Sequence, residues 1–336
     1  MRKMPLVILT GPTAVGKTAL SILLAKAIGG EIISADSMQV YRHMDIGSAK
    51  VTREEMQGVP HYLIDCYEPD EEFHVVEFQR AAKEAMKEIW SHGHIPIVAG
   101  GTGFYIQALV KDIDFTETEG DETYRKKLEA LAAEKGAEYL HALLSEADPK
   151  AAEEIHANNI KRTIRALEYH HFTGQRISDH NEEEKQKCSP YNFAYFVLNR
   201  DREELYRRID LRVDLMMQNG LLDEVRKLKR MGYTRNMVSM QGLGYKELLD
   251  YLDGDITEEE AIYRIKRDTR HFAKRQLTWF RREQDVIWIQ KENFTDDSEI
   301  LDFIQKILRK FPCDIMEYMR VNKREKRKSR EGKKYE

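Results

Sequence analysis

An eight-residue segment near the start of the chain has the residue types and spacing of a phosphate-binding loop. It follows the pattern G-x-x-x-x-G-K-[S/T], and its residues are Gly11, Pro12, Thr13, Ala14, Val15, Gly16, Lys17 and Thr18. In such a loop, backbone amides point at phosphate oxygens, the lysine neutralises their charge, and the Thr18 hydroxyl can ligate Mg²⁺. An apolar run precedes the segment and a helical pattern follows it, so a chance match in a plain turn is the weaker interpretation. The segment predicts a phosphate or diphosphate site without implying ATP hydrolysis.

A carboxylate follows the second apolar run, in the segment SADSMQ at 34–39. The carboxyl ends of parallel strands face the ligand crevice, so Asp36 can hold magnesium or act as a general base there. Ser37 and Gln39 carry donors and acceptors that can read the edge of a base. The spacing leaves equally open that Asp36 or Ser37 simply caps the next turn.

A glycine-rich segment, GGTGFY at 100–105, follows a later apolar run. Its three glycines indicate tight turning or backbone close to a ligand. Thr102 can contact a phosphate or an acceptor, or it can cap a helix. The preceding residues lack the aspartate that normally ends this strand in an ATPase, which counts against an ordinary ATPase.

A basic helix is predicted over residues 264–282, which hold eight Lys/Arg and one acid, Asp268. One face carries Arg267, Arg270, His271, Lys274, Thr278 and Arg281, whereas Phe272, Gln276, Trp279 and Phe280 lie largely elsewhere. A basic face with interleaved aromatics suits a nucleic-acid backbone or a transferring phosphoryl group, and a solvated face is the alternative. Further basic groups are Lys161, Arg162 and Arg165, and Arg207, Arg208 and Arg212. Since Arg208 and Arg212 are four residues apart, both can point to the same side of a helix.

The histidines show no metal-ligand pattern. His92 and His94, like His170 and His171, lack a cysteine or carboxylate at typical ligand spacing. They are predicted to have structural or surface roles.

The elements that must position these residues alternate between strand and helix. Strands are predicted at 6–9, 31–34, 61–66, 95–99 and 192–198, with an edge strand at 286–289, and helical patterns separate them. This alternation indicates an α/β fold with a parallel sheet and right-handed crossovers. Residues 115–190 are interpreted as a helical insertion, and helices dominate again from 202 to 311.

Composition places these elements in an ordinary globular protein. The chain has 336 residues, 41% hydrophobic and 33% charged, with no apolar run long enough to cross a membrane and no secretory leader pattern. The three cysteines are far apart, which fits a reducing cytoplasm. Residues 320–336 hold nine basic and three acidic side chains, so the tail carries +6 and the rest −10. This distribution favours a monomer with a basic, disordered tail.

Taken together, the motifs resemble the tRNA dimethylallyltransferase (tRNA isopentenyltransferase) family, of the bacterial type. The resemblance covers nearly the whole chain to about residue 312, and SADSMQVYR and RHFAKRQLTWFRR are its most specific stretches. The other matching stretches are GPTAVGKT, PHYLIDCYEPDEEFHVVEFQ, PIVAGGTGFY, KRTIRALE and QGLGYKEL. The tail lacks the cysteines of the zinc finger that eukaryotic members carry there.

The resemblance implies a fold, a reaction and partners. The fold is a P-loop NTPase-like parallel sheet flanked by helices, with an α-helical insertion domain and a helical C-terminal part. A catalytic core over 1–114 and 191–312 would surround an insertion at 115–190 that contacts tRNA, followed by a tail at 313–336. The enzyme would move a dimethylallyl group from dimethylallyl diphosphate to N6 of the adenosine 3′ of the anticodon, in tRNAs reading codons that begin with U. Mg²⁺ and the anticodon stem-loop are the implied cofactor and partner.

The resemblance also implies residue roles. Residues 11–18 would hold the donor diphosphate, with Mg²⁺ on Thr18, while Asp36, Thr102, Arg208 and Arg212 would take part in catalysis. Which of the two arginines meets the diphosphate stays open. The expected tRNA contacts are Asp36, Ser37, Met38, Gln39, Thr102, Lys161, Arg162, Thr163, Ile164, Arg165, Gln241, Gly242, Gly244, Tyr245, Lys246, Arg270, Lys274, Arg275 and Arg281.

Three other functions share part of this pattern. A P-loop kinase of a small metabolite would consume ATP, and an adenylate isopentenyltransferase would modify a free nucleotide. A P-loop RNA-binding regulator would bind tRNA without modifying it. The helical insertion and the basic helix favour an RNA acceptor over a small one.

Overall fold

The computed structural model describes residues 3–115 and 122–310 and contains a six-stranded sheet. The strands are β1 (Pro5–Thr10), β2 (Gly30–Ala35), β3 (His61–Tyr62), β4 (Ile95–Gly100), β5 (Asn192–Asn199) and β6 (Val286–Gln290). Their order is β3-β2-β4-β1-β5-β6, and every pairing is parallel. The α/β fold class and the edge position of the last strand are therefore confirmed.

The third strand is shorter than the predicted 61–66. Leu63 and Asp65 have φ values of 62° and 54°, which take the backbone out of the extended region directly after Tyr62. This segment pairs with β2 only through His61 and Tyr62.

Helices cover both faces of the sheet. In the unit formed by residues 1–110 and 190–336, the described helices are α1 (Lys17–Ile28), α2 (Arg53–Met56), α3 (Val75–Ser91), α4 (Gly103–Lys111), α10 (Arg202–Gln218), α11 (Leu221–Arg230), α12 (Tyr245–Asp253), α13 (Glu258–Phe280) and α14 (Asp297–Leu308). Short 3₁₀ turns lie at Ser239–Gln241 and Lys291–Asn293.

The hydrophobic core of this unit has two layers, one on each face of the sheet. In β1, Leu6 and Ile8 belong to one buried cluster, and Val7 and Leu9 belong to the other. Successive strand residues point to opposite faces, so a strand covered on both sides is apolar throughout. This explains why β1 reads as a continuous apolar run that ends at the phosphate-binding loop.

Residues 111–189 form a second compact unit. Its described helices are α5 (Glu122–Lys135), α6 (Ala137–Ala147), α7 (Pro149–Glu154), α8 (Ile160–Thr173) and α9 (Ile177–Gln186). Leu128, Leu140, Leu144, Ile164 and Leu167 pack in its core. The predicted tail at 313–336 lies outside the described residues.

None of the helices in the described ranges is long and apolar enough to cross a membrane.

Candidate active site

The phosphate-binding loop connects the buried end of β1 to the first residue of α1. Gly16 has a φ of 99°, a conformation that L side chains rarely adopt, and it lies immediately before the helix. The Lys17 Nζ donates to the backbone oxygens of Gly11 at 3.0 Å and Pro12 at 2.8 Å. The lysine therefore folds back over the loop, beside the amides of the helix N-terminus, where an anion is favoured.

Lys17 is in a cation-rich environment. Burial of the ammonium and the nearby charge of Arg212 lower the pKa of Lys17 to about 7, and the carboxylate of Asp36 opposes part of that shift. A lysine with this pKa is only partly charged at neutral pH. An anion bound in the loop would favour the charged form.

Two arginines of α10 reach the same loop, as their four-residue spacing predicts. The Arg208 Nε donates to the backbone oxygen of Ala14 at 3.0 Å, and the Arg212 Nη1 lies 3.3 Å from the Thr13 hydroxyl. Burial lowers the pKa of Arg212, and Asp36 again opposes the shift. Arg208 thus braces the backbone of the loop, whereas Arg212 is the arginine electrostatically coupled to Lys17 and Asp36.

Asp36 stands at the carboxyl end of β2, and its two carboxylate oxygens have different surroundings. Its Oδ1 accepts a hydrogen bond of 2.9 Å from the Met38 amide, so it does cap the turn. Its other oxygen makes no hydrogen bond with the described residues, and its charge acts on Lys17 and Arg212. One oxygen fixes the side chain, and the other remains for a ligand.

Thr102 lies beside the loop that follows β2 and contains Asp36 and Ser37, here called the Asp36 loop. Its hydroxyl accepts from the Ser37 amide at 3.3 Å, and its own amide donates to Ala35 O at 3.1 Å. Its carbonyl also accepts from the amides in the first turn of α4, so the helix-cap interpretation is partly correct. Gln39 instead braces its own segment, donating to Ala49 O at 3.2 Å and accepting from the Ser34 hydroxyl.

Sequence reasoning missed Gln276, which joins the two glycine-containing loops. Its Oε1 accepts from the Thr13 amide and its Nε2 donates to Gly101 O, both at 2.9 Å. A Cβ on Gly101 would lie 2.2 Å from that Nε2, so only glycine allows this approach. The signal available in the sequence was the spacing of Gln276, three residues after Ala273 and four residues before Phe280. Both of these apolar residues are fully buried in the structure.

Sequence reasoning also missed Lys291. It follows β6, is buried, and pairs with Asp297 at 2.5 Å. A Cβ on Gly16 would lie 3.1 Å from its Nζ, so this ammonium is next to the phosphate-binding loop. Nothing in the local sequence around Lys291 indicates this position, because the parallel pairing of β5 and β6 creates it.

The basic face of α13 divides into paired and exposed side chains. Arg270 contacts both oxygens of Asp210, at 2.6 and 2.7 Å, so it ties α13 to α10. Lys274 and Arg281 are exposed and line a cavity of about 600 Å³ that also receives Arg200 and Arg202. A second cavity of about 380 Å³ is lined by His271, Lys274, Arg275, Thr278, Trp279 and Arg282. The exposed part of this helix therefore presents a cationic surface.

Burial restricts the RNA contacts expected at 161–165. Thr163 and Ile164 are buried in the helical unit, and the Thr163 hydroxyl donates to Asn159 O. These two side chains belong to the core of the unit and cannot face RNA. Lys161, Arg162 and Arg165 are exposed.

Burial also restricts the contacts expected at 241–246. Tyr245 is buried, and its hydroxyl donates to Glu224 at 2.8 Å, so it has a structural role instead. A Cβ on Gly242 would lie 2.5 Å from the end of Met38, which brings this segment to the Asp36 loop. Lys246 is partly exposed, 3.5 Å from Glu247.

The residues at the loop fit a magnesium ion. Thr18 is exposed, and its hydroxyl makes no hydrogen bond within the described residues. A hydroxyl and phosphate oxygens are the hard ligands that Mg²⁺ prefers. The group of three potential metal ligands found among the described residues is elsewhere, at Glu31, His92 and His94.

His92 and His94 have a carboxylate partner that does not stand at typical ligand spacing in the sequence. Glu31, 61 positions before His92, lies beside both rings. The register of β2 and β4 brings them together, because Glu31 pairs with Pro96. A contact between residues this far apart in the sequence cannot be predicted from local residue spacing.

Comparison with known proteins places this site in a family. A family model described as "IPP transferase" matches residues 39–283. The chain is 66% identical over 304 residues to a tRNA dimethylallyltransferase of Lachnoclostridium phytofermentans and 52% identical over 304 residues to that of Acetivibrio thermocellus. Each alignment covers 90% of this chain and 97% of the relative.

Solved structures of related enzymes support the same family match. A tRNA isopentenylpyrophosphate transferase from Bacillus halodurans is 45% identical, with a TM-score of 0.69 and coverage of 96% of this chain and 99% of that chain. A eukaryotic dimethylallyltransferase acting on tRNA is 29% identical, with a TM-score of 0.78 and coverage of 90% and 80%. Given this match over most of the chain, the protein belongs to the tRNA dimethylallyltransferase family of transferases.

Proposed function

We propose that this protein transfers the dimethylallyl group of dimethylallyl diphosphate to the N6 amine of the adenosine 3′ of the anticodon, releasing diphosphate. Its substrates would be tRNAs that read codons beginning with U. The observation that carries the proposal is the cluster of Lys17 and Arg212 at the phosphate-binding loop, with Asp36 at its edge. The names of the relatives support the same reaction.

The cationic part of the cluster suits the leaving group. As the carbon–oxygen bond of the donor breaks, negative charge develops on the diphosphate and must be stabilised. Backbone amides of residues 14–18, Lys17 and Arg212 would supply that stabilisation, and Arg208 holds the loop through Ala14. Mg²⁺ bound at Thr18 would add charge neutralisation.

The carboxylate suits the nucleophile. The N6 amine forms a bond to the allylic carbon and must lose a proton. Asp36 can accept that proton through the oxygen that is not bonded to Met38. Thr102, next to Ser37, can position the amine or the diphosphate.

The acceptor adenosine must leave its stack to reach a site at the end of the sheet, as in other enzymes that modify bases. Exposed cations support RNA binding: Lys161, Arg162 and Arg165 on α8, and Lys274, Arg275 and Arg281 at α13. We also propose that the protein acts as a monomer. The unpaired, exposed Cys66 and Cys188 support a cytoplasmic location.

A transfer assay tests the proposal. The protein is incubated with labelled dimethylallyl diphosphate, Mg²⁺ and unmodified tRNA, with AMP and ATP as parallel acceptors. We expect label in tRNA and none when the adenosine 3′ of the anticodon is replaced. Label on a free nucleotide, or ATP consumption without prenyl transfer, would overturn the proposal in favour of an adenylate prenyltransferase or a kinase.

A further inference from the structure

Glu31, His92 and His94 converge at the end of the sheet opposite the phosphate-binding loop. Glu31 is the second residue of β2, and the two histidines lie between α3 and β4. Asp36 follows Glu31 by five residues along the strand, or about 16 Å at the usual rise. This cluster is therefore separate from the proposed reaction centre.

Their potential ligand atoms, one from each residue, all lie within 4.8 Å of one another. The Glu31 Oε1 is 2.5 Å from the His94 Nδ1 and 3.2 Å from the His92 Nδ1. Ligands at the usual zinc distances in a tetrahedral site stand about 3.3 Å apart. The Glu31–His92 separation already has that value. His94 must withdraw by about 1 Å to reach it, and its side chain is 41% exposed.

The Glu31 carboxylate is oriented by a hydrogen bond to its second oxygen, as metal-binding carboxylates usually are. The Glu31 side chain is only 3% exposed, and its Oε2 accepts a hydrogen bond of 2.7 Å from the Tyr62 hydroxyl. That bond orients Oε1 toward the two imidazoles. Outer partners of this kind fix the ligands of metal sites and raise their affinity.

We propose that Glu31, His92 and His94 bind a divalent transition-metal ion, with Zn²⁺ as the best match, and with water completing its coordination. Two imidazole nitrogens and one carboxylate oxygen favour Zn²⁺ or Co²⁺ over Mg²⁺. The ion would be structural, because it joins the start of β2 to the start of β4.

The competing interpretation is a set of histidine–carboxylate hydrogen bonds with no metal. The two interpretations differ in stoichiometry and in the effect of removing one ligand. A metal site needs all three side chains, so the loss of one weakens binding at least about tenfold.

The test uses the full chain without an affinity tag and titrates it with Zn²⁺ by calorimetry. Glu31→Gln keeps the size of the side chain and its contact with Tyr62. His92→Gln changes a side chain that is 45% exposed, so it keeps the test valid if the first variant fails to fold. His74→Gln, an exposed histidine outside the cluster, is the matched control.

We expect one Zn²⁺ per wild-type chain, at least about tenfold weaker binding in both cluster variants, and wild-type binding in the control. Co²⁺ should give the visible absorption of a low-symmetry site in the wild type and the control only. Zn²⁺ should also raise the melting temperature of the wild type. Equal affinity in all four proteins, or no binding to the wild type, would overturn the proposal.

Discussion

Gln276 and Thr13 lie 263 positions apart in the sequence and are joined by a hydrogen bond of 2.9 Å, from the Thr13 amide to the side-chain oxygen of Gln276. The nitrogen of the same side chain donates to Gly101 O. One buried amide thus connects helix α13, which carries the exposed cations, to both loops at the proposed reaction centre. The position of the phosphate-binding loop depends on the packing of this helix.

Gln276→Ala should lower the free energy of unfolding by about 2 kcal/mol, because it leaves a partly buried donor and a buried acceptor without their partners. It should also raise the KM for dimethylallyl diphosphate. Urea unfolding and steady-state kinetics measure the two effects. Gln276→Glu, which keeps the acceptor for Thr13, should be less damaging to stability. Wild-type stability and KM in the alanine variant would contradict the role of this contact.

Donor binding should take up a proton above pH 7. In the free protein the pKa of Lys17 is about 7, and a bound diphosphate raises it by stabilising the ammonium. Donor affinity should therefore fall as pH rises from 7 to 9. Calorimetry in buffers of different ionisation enthalpy measures the proton uptake. In Lys17→Arg the side chain stays charged, so the uptake should disappear. If proton uptake on donor binding persists in this variant, the proton is taken up by a group other than Lys17.

The same shift has a consequence for folding without the donor. The pKa of Lys17 is lower in the folded chain than its ordinary value of 10.5. Between pH 7 and 10.5 the unfolded chain binds more protons, so this group makes the folded state more stable as pH rises through that range. Lys17→Met should remove that contribution from the pH dependence of the free energy of unfolding.

Arg212 and Arg208 should differ in their effect on the rate. Arg212→Lys should lower kcat by about 10²-fold, because in the proposed reaction it removes a planar donor next to the breaking bond. Arg208→Lys should mainly raise the donor KM, because Arg208 contacts the loop backbone. Single-turnover rates and donor titrations separate these effects. Equal losses of kcat in the two variants would contradict the assignment.

Lys274 and Arg281 should contribute to tRNA affinity in a salt-dependent way. Replacing either by alanine should reduce the slope of log K against log[salt] by about 1, because one phosphate contact is lost. Fluorescence anisotropy over a range of salt concentrations measures this slope. Lys227→Ala, an exposed lysine of α11, is the control and should leave it unchanged. If all three variants keep the wild-type slope, this face of α13 does not contact the RNA backbone.

Local pattern was sufficient for the sheet and for part of the site. Apolar runs predicted β1, β2, β4 and β5 because strands buried on both faces contain few polar residues. The loop at 11–18 and the arginine pair were also visible, since each depends on spacing within one element. Local pattern failed where the chain turns, as after Tyr62, and where tertiary packing brings distant residues together. Gln276, Lys291 and Glu31 reach their partners only through the sheet order and the packing of α13.

The most direct test of the central claim is the single-turnover rate of Asp36→Asn. Asparagine keeps the acceptor for the Met38 amide but cannot take a proton from N6 at neutral pH. We predict a rate lowered by about 10²–10⁴-fold at saturating donor, while tRNA binding survives. A variant that prenylates tRNA at the wild-type rate would contradict the role of Asp36 and with it the proposed reaction centre.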